Sequence, residues 1–269
     1  MPTHLAAYTS ADLQTANGVL GAITDDLFYG TGISGFMLSE DMAFIAGYAC
    51  GESLDFASIV APSLLRVGYP AIVPTQRNPA GLFTPFDPGM MDLLRNAIRL
   101  RRGERITANG GERTGMTNYP GVVLMWLQTT YEPIPEGESF WLPYSFAAGQ
   151  QVNALQWSAL TPGFVQSLPS GRYMVAGIEH YSPQAIAVRV ACSGSSFRPG
   201  ALALGDPTGL GGGRNHQLFY GDYMGSYGVF STDAPPTLQI LSATSRVTDD
   251  SDTGFMRVVR LSDGAFGGQ

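Results

Sequence analysis

The chain contains no lysine, because all 15 of its basic residues are arginine. A Walker-A phosphate loop and every lysine Schiff-base mechanism are therefore excluded. The 22 acidic residues give a net charge of −7, which argues against a nucleic-acid-binding protein with a general basic surface. Residues 1–20 contain no arginine either. We expect no direct nucleic-acid binding by an N-terminal arm.

Charge of either sign is scarce, at 14% of residues against about 25% in a typical soluble domain. Much of the surface must be uncharged, as expected if it is buried against other subunits. No apolar run approaches the length of about 18 residues that a membrane-spanning helix needs, so we expect none. The first residues lack a basic segment followed by an apolar one, and we expect no secretion signal.

Cysteine and histidine are too few for an obvious catalytic or metal cluster. Cys50 and Cys192 could form one bridge, but two buried free thiols are favoured. His4, His180 and His216 are each expected to be structural. A histidine–carboxylate site that forms only in the folded chain stays open. We expect no catalytic residue, no cofactor and no metal ligand.

Three glycine-rich or acidic segments match functional motifs only in part. Gly30–Gly35 has the G-x-G-x-x-G spacing of a dinucleotide site, but a strand rather than a helix is expected after it. Gly209–Arg214 is expected to be a flexible loop. Asp249–Gly254 could offer oxygens to Ca²⁺, yet it lacks the spacing of an EF-hand, and a solvated turn is favoured.

Short apolar, β-branched runs separated by turn residues predict an all-β chain. The 34 glycines and 18 prolines supply the many turns that such a chain needs. The predicted strands are Gly121–Gln128, Gly171–Ile178, Ile186–Cys192, Leu218–Tyr220, Leu238–Leu241 and Met256–Leu261. Their spacing favours a sandwich or a barrel.

The two halves of the chain resemble each other. Residues 44–63 align without gaps with residues 174–193, and Ala46/Ala176 and Gly47/Gly177 are among the identities. Further matches follow in order, and one places residues 120–125 opposite 236–241. We infer a duplication into two tandem eight-stranded jelly rolls, residues 1–132 and 133–269. Pro133–Gly137 is the expected linker.

The alignment offset falls late in the first half, which predicts an insertion at about residues 85–119. A short helix over residues 87–102 is expected within it, because Asp87 suits the N-cap and Gly103 the stop. Arg95, Arg99 and Arg102 would share one face of that helix. That face is either solvated or paired with carboxylates, or it binds a neighbouring subunit or an acidic surface such as lipid headgroups or nucleic acid. We take it as a candidate subunit interface.

Several stretches resemble double-jelly-roll major capsid proteins of tailless icosahedral phages, such as the corticoviruses and tectiviruses. They are Leu168–Gly177, Arg198–Gly200, and Phe219–Phe230 followed by Pro235 and Pro236. The resemblance implies a structural protein without enzymatic activity, which forms pseudo-hexameric homotrimers that tile a virus shell. It places the chain in the virion, assembled in the host cytoplasm, beside minor capsid or vertex proteins and with or without an internal membrane.

Two other classes of protein remain alternatives. A β-sandwich carbohydrate-active enzyme, such as a hydrolase or lyase, would bring carboxylates and a histidine together in a cleft. A carbohydrate-binding or adhesin module would expose aromatic side chains on one face. Trp126, Trp141 and Trp157 are the candidates for such a face, although Trp126 lies in an apolar strand and is expected in the core.

Overall fold

The computed structural model of the chain describes residues 3–10, 18–23, 36–37, 44–52, 54–65, 71–74, 91–92, 98–101, 103–112, 121–129, 137–182, 184–195, 197–203 and 228–261. The chain divides into two compact units. The N-terminal unit is Leu5–Thr129, and the C-terminal unit is Thr130–Gln269 together with Met1–His4. The division lies three residues before the boundary expected from the sequence.

Strands dominate the described part of both units. Those of the N-terminal unit are β1 (His4–Ser10), β2 (Gly18–Ile23), β3 (Phe36–Met37), β4 (Phe44–Glu52), β5 (Leu54–Val60), β6 (Ala71–Pro74), β7 (Met91–Asp92), β8 (Ile98–Arg99), β9 (Arg105–Glu112) and β10 (Gly121–Gln128). One short helix, α1 (Pro62–Leu65), follows β5. The prediction of an all-β chain is confirmed for the described residues.

The C-terminal unit has its own set of strands. They are β11 (Ser139–Phe146), β12 (Gln151–Val152), β13 (Trp157–Leu160), β14 (Pro162–Phe164), β15 (Arg172–Tyr181), β16 (Ala185–Ala191), β17 (Gly200–Leu202), β18 (Val229–Ser231), β19 (Thr237–Ser242), β20 (Arg246–Val247) and β21 (Thr253–Arg260). The predicted strands at 121–128, 171–178, 186–192, 238–241 and 256–261 all lie on observed ones. Leu218–Tyr220 lies outside the described residues.

The strands of the N-terminal unit form one sheet in the order β6-β5-β9-β2-β1-β10-β4-β7, with β3 paired to β9 and β8 to β4. Those of the C-terminal unit form two larger sheets, in the orders β14-β11-β21-β15-β18 and β13-β19-β16-β17, and a small β12-β20 pair. The sheets are antiparallel. In these strand orders, strands that neighbour each other in space are mostly distant in sequence.

The two units share a β-bulge at the same place. On β4, Gly47 pairs with Trp126 of β10 and Ile45 with Leu127, so that Ala46 is the extra residue. Because the bulge shifts the inside–outside alternation by one, Ile45 and Tyr48 both face inwards although they are three positions apart.

The C-terminal unit repeats this arrangement between β15 and β21. Gly177 pairs with Arg257 and Val175 with Val258, which leaves Ala176 as the extra residue. Ala176 lies 130 positions after Ala46, and Arg257 lies 131 positions after Trp126. The alanine–glycine pairs that match in sequence thus occupy the same structural position.

Strand pairing corrects the alignment of the later repeat segments. β10 pairs with β4 as β21 pairs with β15, and β9 pairs with β5 as β19 pairs with β16. The counterpart of β10 is therefore β21, not β19 as the sequence match had it. The predicted insertion over 85–119 is wrong in its described part, because β9 is an integral strand whose counterpart lies at an unchanged offset.

The predicted helix over residues 87–102 is also wrong where that segment is described. Met91–Asp92 forms β7 and Ile98–Arg99 forms β8, and both strands pair with β4. The capping signals favour a helix only through contacts within the segment. Pairing with β4 instead gives the backbone groups of these residues hydrogen-bond partners in the sheet, and this outweighs the local preference. Residues 87–90, 93–97 and 102 lie outside the described part of the chain.

Candidate functional site

One side of the five-stranded sheet in the C-terminal unit exposes large apolar side chains. Val165 is 72% exposed, Trp141 49% and Phe255 39%. Of the large apolar side chains that are exposed among the described residues, only Val247 lies elsewhere. We call this surface the aromatic face and define it by Trp141, Val165, Glu179, Tyr181, Phe255 and Arg257.

The pairing of β11, β21 and β15 places these side chains in rows across the strands. Phe255 lies opposite Pro143 on one side and Glu179 on the other, and the Val165 amide donates to the Pro143 carbonyl. In the next row Arg257 lies opposite Trp141. Alternate residues of each strand point to the same side of a sheet, so the rows share one surface.

Polar contacts on the aromatic face hold two of its side chains in place. The Tyr181 hydroxyl donates to Glu179 Oε2 at 3.0 Å, and its ring meets Phe255 edge to face at 6.3 Å. Partial burial, followed by the charge and the hydrogen bond of Glu179, raises the pKa of Tyr181 to about 12. Arg257 Nε donates to Ser139 Oγ at 3.3 Å. One cation and one anion thus accompany the aromatic rings.

The equivalent surface of the N-terminal unit is buried. The registers make Trp126 the counterpart of Arg257 and Leu124 the counterpart of Phe255. Trp126 is fully buried and Leu124 is 2% exposed, and every residue of β10 is buried. The same position in the two units is therefore covered in one and open in the other.

A second candidate is a polar cluster inside the C-terminal unit. Both Arg246 terminal nitrogens donate to the Asp252 carboxylate at 2.6 Å, and one of them also donates to Ser182 Oγ at 3.1 Å. His180 Nε2 is 3.7 Å from Asp252 Oδ1, and His180 Nδ1 is 3.4 Å from the Tyr144 hydroxyl. His180 and Asp252 are completely buried. No substrate reaches either group in this arrangement.

Burial and pairing set the charges of this cluster. Burial lowers the pKa of His180 below its ordinary value, and the Asp252 carboxylate offsets this only in part. Burial alone would raise the pKa of Asp252, but the hydrogen bonds and charge of Arg246 hold it well below its usual range. The cluster therefore contains a neutral imidazole beside a closed Arg–Asp ion pair, which indicates a structural role.

Of the three arginines predicted as a subunit interface, only Arg99 lies in the described part of the chain, and it is on a strand instead of a helix. Arg99 lies on β8, is exposed, and its guanidinium carbon is 5.7 Å from the centre of the Phe44 ring. Arg95 and Arg102 lie outside the described residues. Because β8 is a strand, the spacing that would bring the three together on a helix does not apply here.

The three candidate tryptophans have different surroundings. Trp126 is fully buried, as expected for a core residue. Trp157 is half-buried beneath Arg189, whose guanidinium lies 3.9 Å from the ring centre. Trp141 is the exposed one, and its neighbours Phe255 and Val165 were not singled out from the sequence. The alternation of Thr253, Phe255 and Arg257 with Gly254 and Met256 is the sequence signal that could have found Phe255.

Other residues singled out from the sequence have structural surroundings. His4 is buried, its Nδ1 accepts from the Arg198 amide at 3.0 Å, and burial with the charges of Arg189 and Arg198 lowers its pKa well below the ordinary value. Cys192 is a buried free thiol, as predicted, and burial raises its pKa to about 11.

Two of the three carboxylates in the acidic turn at residues 249–254 are engaged locally. Asp252 is bound to Arg246, and Asp249 Oδ1 accepts from the amide and hydroxyl of Ser251. Within the described ranges, no three histidine, cysteine or acidic side chains group as metal ligands would. The Gly30–Gly35 and Gly209–Arg214 segments, His216 and the Cys50 side chain lie outside the described residues.

Among the described residues, no helix is long and apolar enough to cross a membrane. No family model matches the chain, and no curated protein and no solved structure matches it either.

Proposed function

We propose that the chain is the major capsid subunit of a tailless icosahedral virus, built as a double jelly roll. An eight-stranded jelly roll consists of two packed antiparallel sheets with Greek-key connections. In such a roll the first, eighth, third and sixth strands form one sheet, and the second, seventh, fourth and fifth form the other.

The strand order of the C-terminal unit supports this assignment. With β11, β13, β15, β16, β17, β18, β19 and β21 as its eight strands, the order β11-β21-β15-β18 is first, eighth, third, sixth. The order β13-β19-β16-β17 is second, seventh, fourth, fifth. The short β12, β14 and β20 are additions to this plan.

The N-terminal unit has the same order, and this repetition is the observation that carries the proposal. With β1, β2, β4, β5, β6, β8, β9 and β10 as its eight strands, β1-β10-β4-β8 and β2-β9-β5-β6 are the two groups, and pairing of β1 with β2 joins them. The shared bulge at Ala46 and Ala176 adds a local feature that independent folds would have no reason to share. Two such units in tandem are the plan of a double-jelly-roll capsid subunit.

The duplication fits assembly into homotrimers. A trimer of two-unit subunits presents six similar sectors, so it fills near-hexagonal positions in a shell with three chains. Contacts around a threefold axis close a ring, and contacts between rings tile a surface. The low content of charged residues favours broad subunit contacts, whose cores are depleted of charge. The subunit would be located in the virion.

A carbohydrate-binding or adhesin module is the second candidate function, because the aromatic face carries Trp141, Tyr181 and Phe255 together. Flat aromatic surfaces pack against the apolar C–H faces of sugar rings. The hydrolase or lyase alternative has less support, since the only described histidine near a carboxylate, His180, is sealed in the core.

Native mass spectrometry of the purified chain at moderate salt tests the proposal, with negative-stain microscopy of the same sample. We expect trimers, and rings or shells at high concentration. A chain that stays monomeric throughout a concentration series would contradict the capsid function. Retention of such a monomer on insoluble polysaccharides would favour the binding module instead.

A further inference from the structure

The segment formed by residues 246–252 runs from β20 to the start of β21 and is mostly open to solvent. Val247 and Asp250 are exposed, whereas Thr248 and Asp252 are its buried members. The pairing of β12 with β20 extends over only two residues of each strand. A stretch with so little buried apolar surface opens at a lower free energy than the large sheets beside it.

Asp252 is the side chain that holds this segment closed. Its carboxylate accepts from both terminal nitrogens of Arg246 at 2.6 Å and from the Asp249 amide at 3.1 Å. Its backbone carbonyl accepts from the Phe146 amide at 3.3 Å, which joins the segment to the end of β11. Thr248 adds a hydrogen bond from its hydroxyl to the backbone just after β11. Because the Asp252 carboxylate is completely buried, water does not compete for its contacts.

His180 lies in the same cluster, with one ring nitrogen towards the same carboxylate. Its Nε2 is 3.7 Å from Asp252 Oδ1, which is too far for a hydrogen bond, and it has no other hydrogen-bond partner. The Tyr144 ring stacks on the imidazole, and the Phe146 ring meets it edge to face. Among the described residues, the charged side chains that act on His180 are Asp252, which favours its protonated form, and Arg246, which opposes it. The closed cluster therefore has no hydrogen bond ready for a proton on Nε2.

We propose that residues 246–252 form an acid-operated latch, which opens when His180 takes up a proton. In the open form the imidazole is solvated, and its pKa has the ordinary value of about 6.5. In the closed form burial lowers the pKa of His180, so the open form binds the proton more tightly. This device goes beyond the proposed function and does not depend on whether the chain forms a shell.

Proton linkage sets the size of the effect. Separation of Arg246 from Asp252 makes opening unfavourable at neutral pH, and proton uptake by His180 offsets that cost as the pH falls. For one histidine the opening equilibrium constant rises at most about tenfold per pH unit below about 6.5. Between pH 7 and pH 5 the rise is therefore at most about 25-fold.

Hydrogen exchange of the whole chain, followed by mass spectrometry at pH 7 and pH 5 and corrected for the intrinsic pH dependence of exchange, tests the latch. In the wild type, the protection of amides in residues 246–252 should fall by up to about 25-fold, whereas in His180→Gln it should change less than about twofold. His4→Gln is the matched control, because His4 is also buried but accepts from the Arg198 amide, away from the latch. It should respond like the wild type.

His180→Phe is a second variant for the case in which His180→Gln does not fold, because it keeps an aromatic ring against Tyr144 and Phe146. The amides of β16 report opening of the whole C-terminal unit in the same wild-type sample. If they exchange as fast as those of residues 246–252 and lose the same protection, the segment does not open by itself and the latch is wrong. A wild-type pH response that persists in either His180 variant would also contradict it. None of these outcomes bears on trimer formation, which native mass spectrometry measures separately.

Discussion

The β4–β10 pair of the N-terminal unit and the β15–β21 pair of the C-terminal unit have the same register and the same bulge, but not the same surroundings. All eight residues of β10 are buried, whereas β21 alternates between exposed and buried positions. The backbone plan has been kept, and the side chains have changed with what lies against them. The side chains on the sheet surface therefore depend on what packs against it, whereas the strand order depends on the fold alone.

The interiors of the two units diverge as well. His180 and Asp252 form part of the polar cluster, while Cys50 and Gly121 stand at the corresponding positions of the N-terminal unit. Arg189, which is buried and bonded to Gln239, takes the place of the apolar Ile59. A buried polar group needs all its partners at once. A single residue of such a cluster would therefore not be stable at the corresponding position of the other unit without the rest of the cluster.

Deletion of either bulge alanine should have the largest effect. Without the extra residue, the strand segments before and after the bulge follow a single inside–outside alternation of side chains. The inward side chains of one segment then turn to the outside. We expect each deletion to cost more than about 4 kcal/mol of unfolding free energy, as the most disruptive changes do. Urea denaturation followed by circular dichroism measures it.

The length-preserving control is Ala176→Gly, which should cost no more than about 1 kcal/mol. Comparable losses from the two deletions are required if the bulges are equivalent. A deletion tolerated in one unit and not in the other would break the equivalence on which the duplication rests.

Breaking the ion pair of the C-terminal unit should come next. Arg246→Met leaves the Asp252 carboxylate buried without its partner, which costs about 3–5 kcal/mol. The double variant Arg246→Met/Asp252→Leu removes both charges and should recover most of that loss. Arg260→Met is the control, because Arg260 is exposed and its removal should change stability by less than about 0.5 kcal/mol. A single variant as stable as the wild type would mean that the pair is solvated.

Several strands could be predicted from the sequence, and the reasons are local. The continuous apolar run at 121–128 is typical of a strand buried on both sides, and β10 has those bounds. The alternation at 253–257 indicates a strand with one open side, as β21 is. The repeat between β4–β5 and β15–β16 was visible because Ala46, Gly47, Ala176 and Gly177 share their bulge.

The remaining features depend on partners that are distant in the chain. The segment 91–99 carries helix-capping signals, yet pairing with β4 makes its described ends strands. The match of residues 120–125 to 236–241 paired two apolar strands by composition alone, and only register identifies β21 as the counterpart of β10. Trp141 was a candidate from the sequence, but the other residues of the aromatic face come from β15, from β21 and from the residue that follows β14.

Packing at Gly254 offers a smaller test of how far the inner faces have diverged. A Cβ atom there would overlap the Glu179 carbonyl oxygen and lie 2.5 Å from the Tyr144 hydroxyl. The corresponding residue of the N-terminal unit is Val123, which carries a buried side chain. Gly254→Ala should cost about 2–3 kcal/mol through overpacking, measured by urea denaturation.

The matched control for that variant is Gly163→Ala on β14. Its Cβ would meet only the Ser145 carbonyl oxygen, at an ordinary 3.6 Å. It should therefore be nearly neutral. Equal costs at Gly163 and Gly254 would show that the close approach of β15 and Tyr144 does not constrain Gly254.

The smallest expected effect is the pH dependence that His180 gives to the C-terminal unit. Its folded pKa is lowered by burial, whereas the unfolded chain binds a proton below about pH 6.5. Protons then favour the unfolded state, so the unfolding free energy falls as the pH drops below about 6.5. The slope is at most about 1.4 kcal/mol per pH unit for one histidine. His4, whose pKa is also lowered, adds a second contribution of the same sign.

His180→Gln should remove one of these two contributions and leave the other. Urea denaturation between about pH 7 and pH 5 measures the slope. Asp252 contributes little in this range, because its folded pKa is lowered and an unfolded aspartate, at about 3.9, also titrates below it. The slope should be smaller in this variant than in the wild type, and His4→Gln should reduce it as well. An unchanged slope in His180→Gln would mean that His180 has the same pKa in the folded chain as in the unfolded one. Burial in the C-terminal unit would then not affect the protonation of this imidazole.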